Sequence, residues 1–267
     1  MTPIPIFIIS FNRVNMLSRC LESLKHFTYP YIPIIHDNGS QNFETLQLLG
    51  RLESEGVKVY RSKKIITQEG LNSVNESIKD YFTNHTMSNY VVTDCDIDLS
   101  TCKEDTLQVF SELLQLFPEC ECVGPMLKIS DVDKSYPLYN KLMNGHITQF
   151  WSKRPSWART SFGEIAYQEC QIDTTFALHR SGQDFKRLKS AIRVYNPYEA
   201  KHLDWYPEFR DLDKEYRLIS HPNISHWNNS FRDNLDHIRG EEKLKFTSYY
   251  LVTEIDGKLI EIESIIS

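Results

Sequence analysis

The chain has 267 residues, 40% hydrophobic, 12% aromatic and 25% charged, with a formal net charge of -6. That length suffices for one large α/β domain or two small ones around a substantial core. The acidic balance argues against a protein that lives on nucleic acid, although it is compatible with a local basic groove. Six cysteines stand at 20, 95, 102, 120, 122 and 170, and no pair has zinc spacing with a second pair to match. Cys20, Cys95 and Cys120 fall in apolar segments, so reduced core thiols in a cytoplasmic protein are expected rather than a disulfide framework. No basic N-terminal segment leads into an apolar run, and no stretch has the length of a membrane span.

Ile4-Pro5-Ile6-Phe7-Ile8-Ile9 is a continuous apolar run rich in β-branched residues and reads as a buried strand. It ends in Ser10-Phe11-Asn12-Arg13, after which Met16, Leu17, Cys20, Leu21 and Leu24 recur at helical spacing. A second strand over 31–35 closes in His36-Asp37-Asn38-Gly39-Ser40, a turn composition. A helix over 43–55 stopped by Gly56, a strand over 57–60 and a helix over 71–82 follow, and a fourth strand opens at Tyr90. Strands alternating with helices predict a mostly parallel, doubly wound sheet. Right-handed crossovers place the strand ends on one side of it. Those ends are 10–13, 37–40, the region of Lys63 and Lys64, and 94–98.

The fourth strand runs into Asp94-Cys95-Asp96-Ile97-Asp98, three carboxylates within five residues. Alternation in an extended chain would turn Asp94, Asp96 and Asp98 to one pole, with Cys95 and Ile97 in the core. Acidic groups packed so closely need a cation or a proton to relieve them. A divalent ion holding substrate phosphates at the sheet's carboxyl edge is one reading, and a solvated turn capping the next helix is the other. A calcium loop is excluded, because Leu99 stands where that loop needs glycine and a strand, not a helix, precedes it.

Beyond Leu99 the pattern changes. A helix over 107–117 and a strand over 120–126 are expected, followed by an aromatic, basic stretch over 136–162 without clear periodicity. Within it Phe150-Trp151-Ser152-Lys153-Arg154-Pro155-Ser156-Trp157 is either a binding loop or a patch over the core. Segments 171–178 and 191–195 are strand-like, and 249–254 with 259–263 flank Asp256-Gly257 as a hairpin. With no repeat, low-complexity tract or linker, a single domain over 1–267 is the simplest organisation.

Three of these stretches together resemble the GT-A glycosyltransferases of the large family 2. Ser10-Phe11-Asn12-Arg13 resembles that family's Thr/Ser-Tyr-Asn-Arg after the first strand. Asp37-Asn38-Gly39-Ser40 resembles its Asp-Asp-Gly-Ser turn, and Thr93-Asp94-Cys95-Asp96 its D-x-D motif. They occur in family order within the first hundred residues, whereas the second half matches only loosely. The resemblance implies a GT-A-like, Rossmann-like fold with a nucleotide-sugar-binding half, 1–100, and an acceptor-binding half, 101–267. It implies that Ser10, Phe11, Asn12, Arg13, Asp37, Asp94 and Cys95 line the nucleotide site, with Phe11 and Asp37 at the base. Asp96 would hold Mn2+ or Mg2+ bridging the diphosphate, with a histidine, His226 in preference to His221, as a further ligand. The donor would be a nucleotide sugar, UDP by analogy, and the acceptor a carbohydrate or lipid-linked glycan, with peripheral contact at the inner face of a membrane. Val74 stands where many relatives carry an arginine, and the family's Glu-Asp pair near the general base is absent.

An inverting transfer needs a base for the acceptor hydroxyl proton. Asp204, within His202-Leu203-Asp204-Trp205, is the candidate, against a plainer role as helix cap. Asp173 and Glu199 are the reserves. Two other classes are weighed beside the transferase. A nucleotidyltransferase would show a Gly-rich loop after the first strand, where this chain has no glycine. An inactive nucleotide-sugar-binding module would need neither the three aspartates nor a base.

Overall fold

The computed structural model describes residues 2–62, 72–210 and 243–266. The chain begins with strand β1 (Ile4–Ser10), helix α1 (Val14–Leu24), β2 (Tyr31–Asp37), α2 (Phe43–Ser54), β3 (Lys58–Arg61), α3 (Val74–Thr83) and β4 (Tyr90–Asp94). It continues through β5 (Ile97–Asp98), α4 (Thr106–Leu116), β6 (Cys122–Pro125), α5 (Tyr139–His146), β7 (Ser156–Thr160), β8 (Gly163–Ile172) and β9 (Ala177–His179). The last elements are β10 (Lys189–Val194), β11 (Lys201–His202), α6 (Pro207–Arg210), β12 (Ser248–Ile255) and β13 (Lys258–Ile265).

Nine strands form one sheet in the order β3-β2-β1-β4-β9-β6-β10-β8-β7. The pairs β3–β2, β2–β1, β1–β4 and β6–β10 are parallel, and every pair involving β8 or β9 is antiparallel. Only β8 and β9 therefore run against the rest, which makes this a mixed α/β fold around a mostly parallel sheet. β1 lies between two parallel neighbours and is buried along its whole length. An uninterrupted apolar sequence is what such a position demands. α1 covers the sheet with Met16, Leu17, Cys20 and Leu24, all fully buried at helical spacing. The start of α2 is fixed by Asn42, whose side chain accepts a bond from the Thr45 N–H.

The parallel register decides where the strand ends fall. Ser10 pairs with Asp37 and Ile9 with Asp94, so the turns after β1, β2 and β4 meet at one edge. The largest apolar cluster extends from Ile4 to Val252, joining both halves of the chain around the sheet. All six cysteines are free thiols, and five are buried. No helix among the described residues is long and apolar enough to cross a membrane.

Three expectations change. The stretch over 136–162 is regular: it holds α5, a π-helical turn over Ile147–Trp151 and β7. Tyr136, Phe150 and Trp151 are buried while Trp157 and Phe162 are exposed, so much of the aromatic run packs into the core. Trp151 meets Tyr195 and Tyr249 edge-on, which seats the β12–β13 hairpin. That hairpin turns at Asp256 and Gly257, φ 50 and 73, the left-handed pair a two-residue turn requires. Segment 171–178 is broken rather than one strand: β8 stops at Ile172 and β9 starts at Ala177, with Phe176 at φ 40 between them. Gly124 explains the room for this bend, since a Cβ there would lie 3.1 Å from the Thr175 carbonyl and 3.2 Å from that of Phe176.

Candidate active site

The turns after β1 and β2 are laced together by side chains. Asp37, at the end of β2, accepts the Ser40 N–H at 2.9 Å and the Ser40 hydroxyl at 2.5 Å. Ser40 Oγ accepts the Asn12 N–H, and Asn12 Oδ1 accepts the N–H groups of Gln41 and Asn42. Asn12 takes φ 52, a conformation asparagine tolerates better than most residues. Below this platform the His36 ring meets the hydroxyls of Ser77 at 2.7 Å and Ser73 at 2.9 Å. Burial holds the His36 pKa down and the Asp37 pKa up, the latter opposed by the Ser40 bonds. Phe11 is 9% exposed at the same edge. Ser10 Oγ and Asn12 Nδ2 are buried there without a hydrogen-bond partner. Such orphaned polar atoms are rare and mark a place where a ligand would satisfy them.

β4 ends at Asp94, and the chain turns through Cys95 and Asp96 before β5. Because of that turn the alternation does not continue through all three aspartates. Cys95 and Ile97 enter the core, but Asp98 leaves the group: it accepts Arg19 Nε at 2.9 Å and the Ser100 N–H at 2.8 Å. Asp94 is tied to the bend after β8, its N–H to the Thr174 carbonyl and its Oδ2 to the Thr174 hydroxyl. Its pKa is raised to about 6, chiefly by burial, with Arg187 opposing and Asp96 adding to the shift.

Asp96 is reached by the second half of the chain through a very short pairing. β11 lies antiparallel to β5, His202 opposite Ile97, and the Leu203 N–H donates to the Asp96 carbonyl at 2.8 Å. Asp204 follows in the 3-10 turn Leu203–Trp205 and is 2% exposed. The helix-cap position before α6 is Tyr206, so Asp204 does not occupy it. Asp96, His202 and Asp204 bring one potential ligand atom each within 4.8 Å of one another. Arg13 enters between them, donating from Nη1 to Asp96 Oδ2 at 2.7 Å and from Nη2 to Asp204 Oδ1. His202 Nε2 stands 3.8 Å from Asp96 Oδ2, and the ring stacks on Trp205 at 5.0 Å.

The donor set fits a divalent ion. Two carboxylates and an imidazole suit Mn2+ or Mg2+ in type. Asp96 Oδ1 and His202 Nδ1 are also buried without hydrogen-bond partners. His202 is the residue that sequence reasoning did not select as a ligand; its proximity to the Asp204 candidate was the only signal. His226, Lys63 and Lys64 lie outside the described residues.

A cavity of about 90 Å³ adjoins the cluster, lined among others by Asp94, His202, Gln149, Gln171, Asp173 and Arg193. Asp173 is thus the reserve carboxylate at the cavity. Glu199 belongs to neither the cavity nor the cluster; it is 7% exposed and accepts the Asn196 N–H. Arg193, 3% exposed, is fixed by the carbonyls of Gln171 and Pro125 and lies over the Phe150 ring at 4.5 Å. Val74 is 1% exposed in a small apolar cluster with Phe7 and Ile78.

No protein-family model matches the chain, and no curated protein sequence does. Solved structures similar to it include S. aureus TarS 1-349, at 12% identity over 67% of this chain and 47% of that one, TM-score 0.40. The complex of TarS 1-349 with UDP is similar at 13% identity over 48% of this chain and 36% of that one, TM-score 0.35. A mannosyltransferase from Pyrobaculum calidifontis, in complex with GDP-Man and Mn2+, is 15% identical over 53% of this chain and 38% of that one, TM-score 0.38. The chain thus spans less than half the length of each of these structures.

Proposed function

We propose that the protein is a metal-dependent glycosyltransferase that moves a sugar from a nucleotide diphosphate, UDP in the first instance, to a carbohydrate or lipid-linked hydroxyl. The observation that supports this reading best is the meeting of Asp96, His202 and Asp204 at the sheet edge that also holds the Ser10 and Asp37 turns. Phe11 packs against the nucleotide base, while Ser10 Oγ and Asn12 Nδ2 bond its polar atoms. Asp37 hydrogen-bonds the base, and its two bonds to Ser40 hold the turn that faces it. Asp96 and His202 hold the divalent ion. Bound there, such an ion supplies Lewis-acid stabilisation of the departing diphosphate.

Asp204 takes the acceptor hydroxyl proton as the new glycosidic bond forms and the diphosphate leaves, the proton balance an inverting displacement needs. Asp204 is held at the site by its ion pair with Arg13. The cavity beside Asp94 and His202 receives the transferred sugar, with Gln149, Gln171 and Asp173 as partners for its hydroxyls. A panel of nucleotide sugars assayed for Mn2+-dependent hydrolysis and thermal stabilisation tests the reading, since a tight ligand raises apparent stability by mass action. Turnover of at least one sugar nucleotide is expected. Pyrophosphate release from a nucleoside triphosphate with a sugar phosphate would move the protein to the nucleotidyltransferases.

A further inference from the structure

We propose that Arg13 competes with the divalent ion at Asp96, and that the donor's diphosphate ends the competition by taking the guanidinium. This rests on the glycosyltransferase reading of the same site. Arg13 is 3% exposed and bridges both carboxylates, one nitrogen to each. A divalent ion placed on Asp96 and His202 would sit against the Arg13 guanidinium, and like charges at contact in a buried site repel strongly. The oxygens of a diphosphate carry the charge that restores balance, and a planar guanidinium matches phosphate geometry.

The backbone suits such a handover. Arg13 is the residue before the first turn of α1, at φ -128 and ψ 66, outside the helix proper. Its side chain can change partner by rotating about its own bonds, with no shift of the helix. Asp96 Oδ1, buried without a partner, remains available while Arg13 holds Oδ2. In this account Arg13 is a direct contact of the diphosphate.

Arg13→Met and Arg13→Lys test the proposal through two affinities measured without turnover. Free Mn2+ is followed by electron paramagnetic resonance in the absence of nucleotide, and UDP binding by calorimetry at saturating Mn2+. Arg13→Met should bind Mn2+ more tightly and UDP more weakly than wild type, each by roughly 5- to 150-fold, the usual range of coupling between sites. Arg13→Lys, which keeps the charge but loses the fork, should fall between the two. A purely structural role would weaken both affinities together, and that result overturns the proposal, as does an Mn2+ affinity unchanged in Arg13→Met. Unchanged UDP affinity with tighter Mn2+ overturns the handover. Wild-type protein that binds Mn2+ but no UDP overturns the donor reading and the handover with it, a failure distinct from the others. Melting curves with and without Mn2+ report folding, and if Arg13→Met does not fold, Arg13→Lys decides on the same opposite signs.

Discussion

The two halves of the chain reach the site by different means. In β1 through β4 each strand delivers its own carboxyl end, and the parallel register alone aligns Ser10 with Asp37 and Ile9 with Asp94. In the second half the site residues arrive through the two-residue pairing of β5 with β11, and through the bend between β8 and β9. The first half therefore presents a platform set by regular structure. The second supplies His202 and Asp204 through contacts that depend on a few bonds. Chemistry placed on both needs the halves docked correctly, so substitutions on either side should report on one shared site.

The largest effect is expected at Asp96, where the halves meet. Asp96→Asn should nearly abolish transfer and remove any Mn2+ dependence of nucleotide binding, with the fold intact by circular dichroism. Unchanged metal dependence in this variant would place the ion elsewhere. Asp204→Asn should lower single-turnover transfer by about 10²–10⁴-fold, the contribution of a positioned base, and barely alter donor binding. Near-normal transfer would shift the assignment to Asp173, which lines the adjoining cavity.

On the first-half side, Asp37→Ala should weaken UDP binding by about 1 to 3 kcal/mol, the cost of losing a hydrogen bond to a charged group. Calorimetry with UDP alone reads this, since no sugar need be present. An unchanged affinity would confine Asp37 to ordering Ser40 and the turn.

The effect that leaves the site itself untouched concerns Glu199 of the second half, whose pKa burial raises from 4.5 to about 7. Between those values the folded protein keeps a proton that the unfolded chain has released. The associated stability is complete below pH 4.5 and is lost as pH rises through about 7. The slope is at most about 1.4 kcal/mol per pH unit for one proton. Glu199→Gln should flatten the fall in chemical stability across this window, and an unaltered profile would contradict the raised pKa.

Much of the first half was legible because its signals are local. The all-apolar β1, the spacing of Met16, Leu17, Cys20 and Leu24, and turn residues after each strand follow from burial and backbone geometry within a few residues. The D-x-D segment was legible as a strand end but not in its internal division. Sequence alternation cannot show that a turn at Cys95 and Asp96 sends Asp98 to Arg19. The second half was harder for the same reason on a larger scale. His202 sits opposite Ile97, more than a hundred positions away, in a pairing too short to leave a period. Trp151 is core because of Tyr195 and Tyr249, which no nearby residue announces. Gly124 looks ordinary in sequence, and only the carbonyls of Thr175 and Phe176 beside it show why a side chain would not fit.

The central claim is that residues from the two halves form one metal and donor site. Calorimetric titration of UDP into wild type and His202→Ala, each with and without Mn2+, tests it most directly. Wild type should require Mn2+ for tight binding, and His202→Ala should lose that Mn2+-dependent component while keeping the weak metal-free binding of the β1–β2 platform. Equal Mn2+ dependence in the two proteins would contradict the account, because the second half would then take no part in holding the ion.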